Sequence, residues 1–224
     1  MEEQKFLALD LSIASKELIE LLIEDPPEPS IFEEIVKANI NRPEILTLLL
    51  ESPYTPDEVR RHVSNILSVP VKPLSEIAKV ERAPEVRAHN FLQKIQKLSV
   101  PERIHLALRG GREIRSILIK DPNKEVVMTV LENPKITETE IEMIARSRSI
   151  YEEALRKITK KKEWMKNYAI VLALVTNPKT PPNIAVTLAI ELKTKDLTVL
   201  EKNKNVTEAV RAAAKKLLQW RKTH

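Results

Sequence analysis

Two basic clusters hold the residues best suited to chemistry in this chain. In the first, Arg109-Gly110-Gly111-Arg112 is followed by Arg115. Gly110 is predicted to end the helix that starts near Pro101 in a left-handed cap, and Gly111 to free the start of the next helix. Backbone N–H groups at that new N-terminus, with Arg112 and Arg115 one turn apart as clamps, would suit a phosphate or a carboxylate. The same residues also read as a plain helix–helix turn. No Gly-Lys-Ser/Thr follows and no strand pattern precedes, so the segment is not a P-loop. The second cluster is Lys157, Lys160, Lys161, Lys162 and Lys166, with Trp164 and Tyr168 interleaved. Lysines beside aromatic rings are what a phosphate backbone and unstacked bases require. The plainer alternative is a solvated loop with Trp164 tucked beneath it as a packing anchor.

Little else has catalytic spacing. His62, His89, His105 and His224 are scattered, with no carboxylate or second histidine at metal-ligand spacing. His62 adjoins an apolar stripe and reads as a half-buried packing residue. Aspartate occurs at positions 10, 25, 57, 121 and 196, three of them beside a proline, which suits caps and turns. The chain has no cysteine. That removes disulfides, thiolate metal sites, iron–sulfur clusters and cysteine nucleophiles, and it fits a reducing compartment. No nucleophile elbow, catalytic triad or dinucleotide fingerprint is present. The expectation is a protein that is not an enzyme and uses no metal and no cofactor.

The elements that position these clusters are marked by proline. Asn133-Pro134-Lys135 and Asn177-Pro178-Lys179 repeat one junction, and Asp25-Pro26, Ser52-Pro53 and Val69-Pro70 are looser copies. A second proline follows three residues on at Pro29, Pro56, Pro73 and Pro181, and Thr137 takes that place in the fifth copy. Proline lacks the donor a helix needs and biases its predecessor out of the helical region, so each junction stops one helix and starts another. Capping-box spacing at Ser30…Glu33, Thr55…Glu58, Ser99…Glu102, Thr137…Glu140 and Asn205…Glu208 marks helix starts. Between junctions the apolar period is helical, as in Leu7, Leu11, Ala14, Leu18 and Leu21, or Ala88, Phe91, Leu92, Ile95 and Leu98. Tyr168 to Val175 is apolar all round and is predicted to be a central helix. On the last helix Val206, Val210, Ala213, Leu217 and Trp220 fall on one face, which assigns Trp220 to the core. No stretch alternates with period two. The fold class expected is all-α, an irregular helical-repeat array with no β-sheet.

Charge is distributed unevenly. Residues 1–58 hold 4 Lys and Arg against 14 Asp and Glu, whereas the remainder holds 33 against 18. The organisation expected is acidic-to-neutral helical repeats over 1–98 and basic ones over 99–224 in one continuous solenoid. Such asymmetry steers an anionic partner, joins the ends of a curved array, or simply solubilises both. The longest apolar run is eight residues, far short of a membrane span, and no signal stretch follows the acidic start. A cytoplasmic protein with no membrane partner is expected.

The stretch TNPKTPPNIAVTLAIELKTKDLTVLEKNKNVTEAVRAAA resembles the leucine-rich-repeat-variant and HEAT-like repeats of bacterial α-solenoid proteins. The likeness rests on the Asn-Pro-x-Thr-Pro junction and the later Val-Arg-x-x-Ala helix start. ENPKITETEIEMIA and ESPYTPDEVRRHV match the junction half, so about half the chain is covered. What the resemblance implies is an armadillo-like curved stack of helices with a concave binding surface, and no activity. One branch of that family carries an iron–sulfur cluster on cysteines, which this chain lacks. The reading is a scaffold or adaptor that binds a macromolecule, a protein first of all. Nucleic-acid or ribosome binding through the basic portion is the alternative. A HEAT-like DNA glycosylase is the remote one, with Asp121 or Asp196 as its acid.

Overall fold

The computed structural model describes residues 10–71 and 84–223. The stripe residue Leu7, the junction residue Pro73 and His224 lie outside them. The described residues form fifteen α-helices and no strand. They fall into two compact units, 1–118 and 119–224.

The first unit contains α1 (Lys16–Glu24), α2 (Ser30–Ala38), α3 (Pro43–Glu51), α4 (Asp57–Leu67), α5 (Pro84–Lys97), α6 (Val100–Arg109) and α7 (Arg112–Leu118). Helix α1 is its centre. Ser15 caps it, with Oγ accepting from the Leu18 amide at 3.3 Å. Leu18, Ile19, Leu21, Leu22 and Ile23 are all buried, because α2, α3, α5 and α6 pack around it. The acidic beginning of the chain is balanced within this unit. Lys94 bridges Glu20 at 3.0 Å and Glu24 at 2.8 Å, and Arg109 meets Glu34 at 2.6 Å. The unit carries 16 basic against 19 acidic residues, a net charge of only −3.

The second unit contains α8 (Lys124–Val130), α9 (Glu138–Arg146), α10 (Glu152–Lys160), α11 (Lys162–Met165), α12 (Tyr168–Thr176), α13 (Pro182–Ala189), α14 (Thr194–Lys202) and α15 (Glu208–Thr223). Its centre is α12, the apolar segment foreseen, with Ile170, Val171, Ala173, Leu174 and Val175 buried between α9, α11 and α13. This unit has 21 basic against 13 acidic residues and keeps the positive excess, +8.

One turn recurs at the junctions. The side-chain oxygens of Ser52, Asn133 and Asn177 accept the amide two residues on, at 3.2, 2.9 and 2.9 Å. Their carbonyls accept the amide three residues on, from Thr55, Ile136 and Thr180. Asn203 makes the same pair of bonds, to the Asn205 and Val206 amides, without any proline. The turn between α14 and α15 therefore carries no proline signal, and Asp10, in the turn before α1, and Asn167, at the start of α12, make the same pair of bonds. Asparagine also brackets helices: Asn123 and Asn133 flank α8, and Asn167 and Asn177 flank α12 forty-four residues later.

Helix C-termini are closed in an unusual way, for a reason visible in composition. Left-handed caps favour glycine, and the chain has two. Neither has positive φ, and Ser68, after α4, is the one described residue that does. Long basic side chains bond the orphaned carbonyls instead. Arg60 reaches Leu50 O at 3.3 Å, Arg87 reaches Glu24 O at 2.7 Å and Lys157 reaches Met128 O at 3.0 Å. Arg221 reaches Leu192 O at 2.7 Å and Ile190 O at 2.9 Å. The Asn177 amide does the same for α9, donating to Ala145 O at 2.6 Å and Ser147 O at 3.0 Å. These four basic side chains thus have structural roles.

Several local expectations need correction. The capping boxes at Ser99 and Thr137 are present. Ser30 instead lies inside α2, because Pro29 is already helical. Thr55 precedes an extended Pro56, so α4 starts at Asp57, and Asn205 belongs to the turn before α15. On α5, Ala88 and Leu92 are exposed, while Phe91, Ile95 and Leu98 are buried on the side where Arg87 reaches α1. His62 is exposed rather than packed, its Nδ1 3.4 Å from Glu33.

Candidate functional site

The Gly-Gly turn holds an anion, and the anion is internal. Asp25, at the C-terminal end of α1, places Oδ2 2.9 Å from the Ile114 amide in the first turn of α7. Its own carbonyl accepts the Gly111 amide at 3.1 Å. The carboxylate thus occupies the helix N-terminus that sequence offered to a phosphate. Burial pushes its pKa up, while the amides of Ile114 and Glu113 and the charges of Arg87 and Arg115 pull it down. The net shift is upward. Gly110 is not left-handed, as expected from sequence, but extended, with φ −70° and ψ 156°. The two glycines are needed for close approach. A Cβ on Gly110 would lie 2.5 Å from Leu106 O, and one on Gly111 would lie 2.3 Å from Asp25 Oδ1.

The three arginines of this segment do not converge. Arg109 points to Glu34 on α2, Arg112 is exposed, and Arg115 is 4% exposed with Nη1 3.2 Å from Gly110 O.

The lysine cluster is divided in a similar way. Lys157 is engaged by Glu132 and by Met128 O. Lys161 lies 4.4 Å over the Trp164 ring and reaches toward Leu131 O. Trp164 is 7% exposed and packs in the core with Leu155, Ile158 and Ile170, so no base can stack on it. Lys160, Lys162 and Lys166 stay exposed. Tyr168 donates to Asp196 and accepts the Lys193 amide at 3.0 Å. Both carboxylates suggested for acid chemistry have structural work. Asp121 Oδ1 accepts the Asn123 amide at 2.7 Å, and Asp196 holds Tyr168. No group of three His, Asp or Glu among the described residues could hold a metal.

An open groove lies in each unit among the described residues. One, of about 260 Å³, lies between α1 and the α3–α4 turn, lined by Glu20, Ile23, Glu24, Leu48, Glu51 and Tyr54 among others. Lys94 already serves two of its carboxylates. The other, of about 200 Å³, runs over α9, α12 and α14, with Leu172, Ala173, Val199 and Leu200 as its apolar lining and Arg146, Thr176, Asp196 and Asn203 as its polar groups. Here each polar group has an internal partner: Glu142 for Arg146, Leu172 O for Thr176, Tyr168 for Asp196 and the Asn205 amide for Asn203. The Arg146 side chain, paired with Glu142, is exposed at the rim, and hydrocarbon is exposed beside it. Val199 is 67% exposed, and Met143, one turn before Arg146 on α9, is 63% exposed. Sequence reading missed both, since single apolar residues on polar helix faces carry no pattern.

Trp220 was assigned to the core and is instead 59% exposed. The buried face of α15 is Val210, Ala214 and Leu218, which leaves the indole at the edge. No helix of the described residues is long and apolar enough to cross a membrane. No protein-family model matches the chain, and neither a curated protein nor a solved structure matches it.

Proposed function

We propose that this chain is a non-enzymatic helical-repeat scaffold whose partner is a protein, received in the groove over α9, α12 and α14. The repeat reading is supported by the turn shared at Ser52, Asn133, Asn177 and Asn203. Helix pairs joined in one way stack so that neighbours complete each other's apolar faces, and such arrays present extended binding surfaces. The observation that carries the choice of partner is Val199, an exposed hydrocarbon in a groove whose polar groups already have internal partners; Met143, one turn before the groove residue Arg146 on α9, is exposed as well. A groove of this kind rewards an apolar side chain from a partner and offers little to a phosphate. The carboxylates of Asp25 and Asp121 accept backbone amides as anchors and caps, which supports a binding role over catalysis.

The test is affinity capture with the full chain after nuclease treatment, beside Val199→Glu. A protein retained by the wild type and lost by the variant supports the reading. Identical capture by both, or capture abolished by nuclease, contradicts it. Val199 is exposed, so the variant should fold normally.

A further inference from the structure

The second unit carries a net charge of +8, and the contacts of Arg221 bring the lysine-bearing end of α15 onto the lysine-bearing α13–α14 turn. Arg221 is the organiser. Its guanidinium bonds Ile190 O and Leu192 O and lies 3.4 Å from Thr194 Oγ1, which fixes the C-terminal end of α15 on that turn. Lys193 and Lys195 flank Thr194, and Trp220 and Lys222 flank Arg221. Lys216 lies one turn before Trp220 on the same side of α15. Lys193, Lys195, Lys216 and Lys222 are exposed, and the Lys193 ammonium sits 4.8 Å over the Tyr168 ring. The acids within the 190–196 segment are Glu191 and Asp196, and the latter is held by the Tyr168 hydroxyl.

We propose that this surface binds single-stranded nucleic acid, with Trp220 as a stacking platform and Lys193, Lys195, Lys216 and Lys222 as phosphate contacts. It goes beyond the protein-binding reading and does not depend on it. The Lys157–Lys166 segment has a tryptophan that is 7% exposed, whereas Trp220 is 59% exposed beside the lysines of this surface. Cations alone would fit any polyanion, whereas an exposed indole among them favours a ligand that alternates phosphates with flat π-faces. A duplex keeps its bases stacked inside, so a single strand is the better fit. Arg221 and Lys193 are held by carbonyls and by a ring, so part of the surface is organised before any ligand arrives.

The chain has two tryptophans, and only Trp220 is exposed, so intrinsic fluorescence reports on this surface. The protein is titrated at low salt with a thymidine strand of about ten nucleotides, within the usual site size, with an abasic strand of equal length, and with polyglutamate. The expected result is quenching by the thymidine strand, weaker binding of the abasic strand without quenching, and little response to polyglutamate. Affinity should fall with salt at a logarithmic slope of roughly −2 to −3, as three or four neutralised phosphates predict. Trp220→Ala should weaken binding by roughly tenfold, and Lys193→Glu with Lys195→Glu and Lys222→Glu should abolish it. Lys160→Glu with Lys162→Glu is the control for charge placed elsewhere and should cost far less. No binding of the thymidine strand overturns the proposal. So does equal binding of abasic strand or polyglutamate, which would make the surface a general polyanion or acidic-protein site. Equal losses in the two lysine variants would overturn it as well.

Discussion

Replacing Gly111 with alanine should destabilise the first unit strongly. The new carbon would lie 2.3 Å from Asp25 Oδ1, 2.4 Å from its Cγ and 2.5 Å from its carbonyl oxygen. Ordinary contact is about 3.5 Å or more. Asp25 cannot retreat freely, because its carbonyl accepts the Gly111 amide and its carboxylate accepts the Ile114 amide. Overpacking of this kind costs about 1–3 kcal/mol. Loosening the charge-assisted bond to Ile114 and the neutral bond to Gly111 adds about 2 kcal/mol more. A total of about 3–5 kcal/mol is a large share of the roughly 5–15 kcal/mol that holds a typical domain. The assay is denaturant unfolding of the full chain, with hydrogen exchange of the Ile114 amide as the local readout. The midpoint should fall sharply and the Ile114 amide should lose protection. A second arm adds Asp25→Ala: it removes two of the three clashing atoms, so Gly111→Ala should cost less there. A loss below about 1 kcal/mol with Ile114 still protected, or full additivity of the two changes, would refute the reasoning.

Other outcomes follow from the same geometry. Because burial holds the folded pKa of Asp25 above its ordinary value, its ionisation opposes folding: the stability this group contributes is complete below the unfolded pKa and is lost as pH rises through the folded one. Asp25→Asn, which keeps an acceptor for Ile114, should therefore be at least as stable as wild type at neutral pH, with the difference shrinking on acidification; calorimetry across pH decides, and a difference that grows on acidification refutes it. Asn177→Ala removes a turn acceptor and two bonds to the end of α9 and should cost about 2–3 kcal/mol in denaturant unfolding, with Asn177→Asp recovering only the turn. Arg60→Ala deletes a buried side chain that closes α3 at Leu50 O and should cost about 2–4 kcal/mol, whereas Arg112→Ala, at an exposed position, should change the midpoint little.

The all-helical class and most junctions were legible because proline and capping residues act locally. Pro134 and Pro178 block helix propagation wherever they stand, and Thr137 with Glu140 caps α9 with bonds spanning three residues. The Asn203 turn was missed because it uses the asparagine half of the same device without the proline. The role of Gly111 was out of reach for another reason: its requirement comes from Asp25, a neighbour only in space. Glycine suggested a left-handed backbone, and the actual demand was room for a carboxylate. Trp220 was misplaced by periodicity. Val206 lies in the turn and α15 begins at Glu208, so the stripe continues through Val210, Ala214 and Leu218, and Arg221 takes the inward position next to Trp220. The charge asymmetry was legible as a count. Its meaning was not, because carbonyl capping by Arg60, Arg87, Lys157 and Arg221 depends on which helix end each side chain reaches.

The most direct test of the scaffold reading is site-specific photocrosslinking in cells that express the full chain. A photoreactive residue is placed at Val199, and in a parallel strain at Ile13, which is 82% exposed in the first unit. The account predicts a discrete protein adduct at position 199, absent at position 13 and lost when Met143→Glu is added. No adduct at 199, the same adducts at both positions, or an adduct that Met143→Glu leaves unchanged would contradict it.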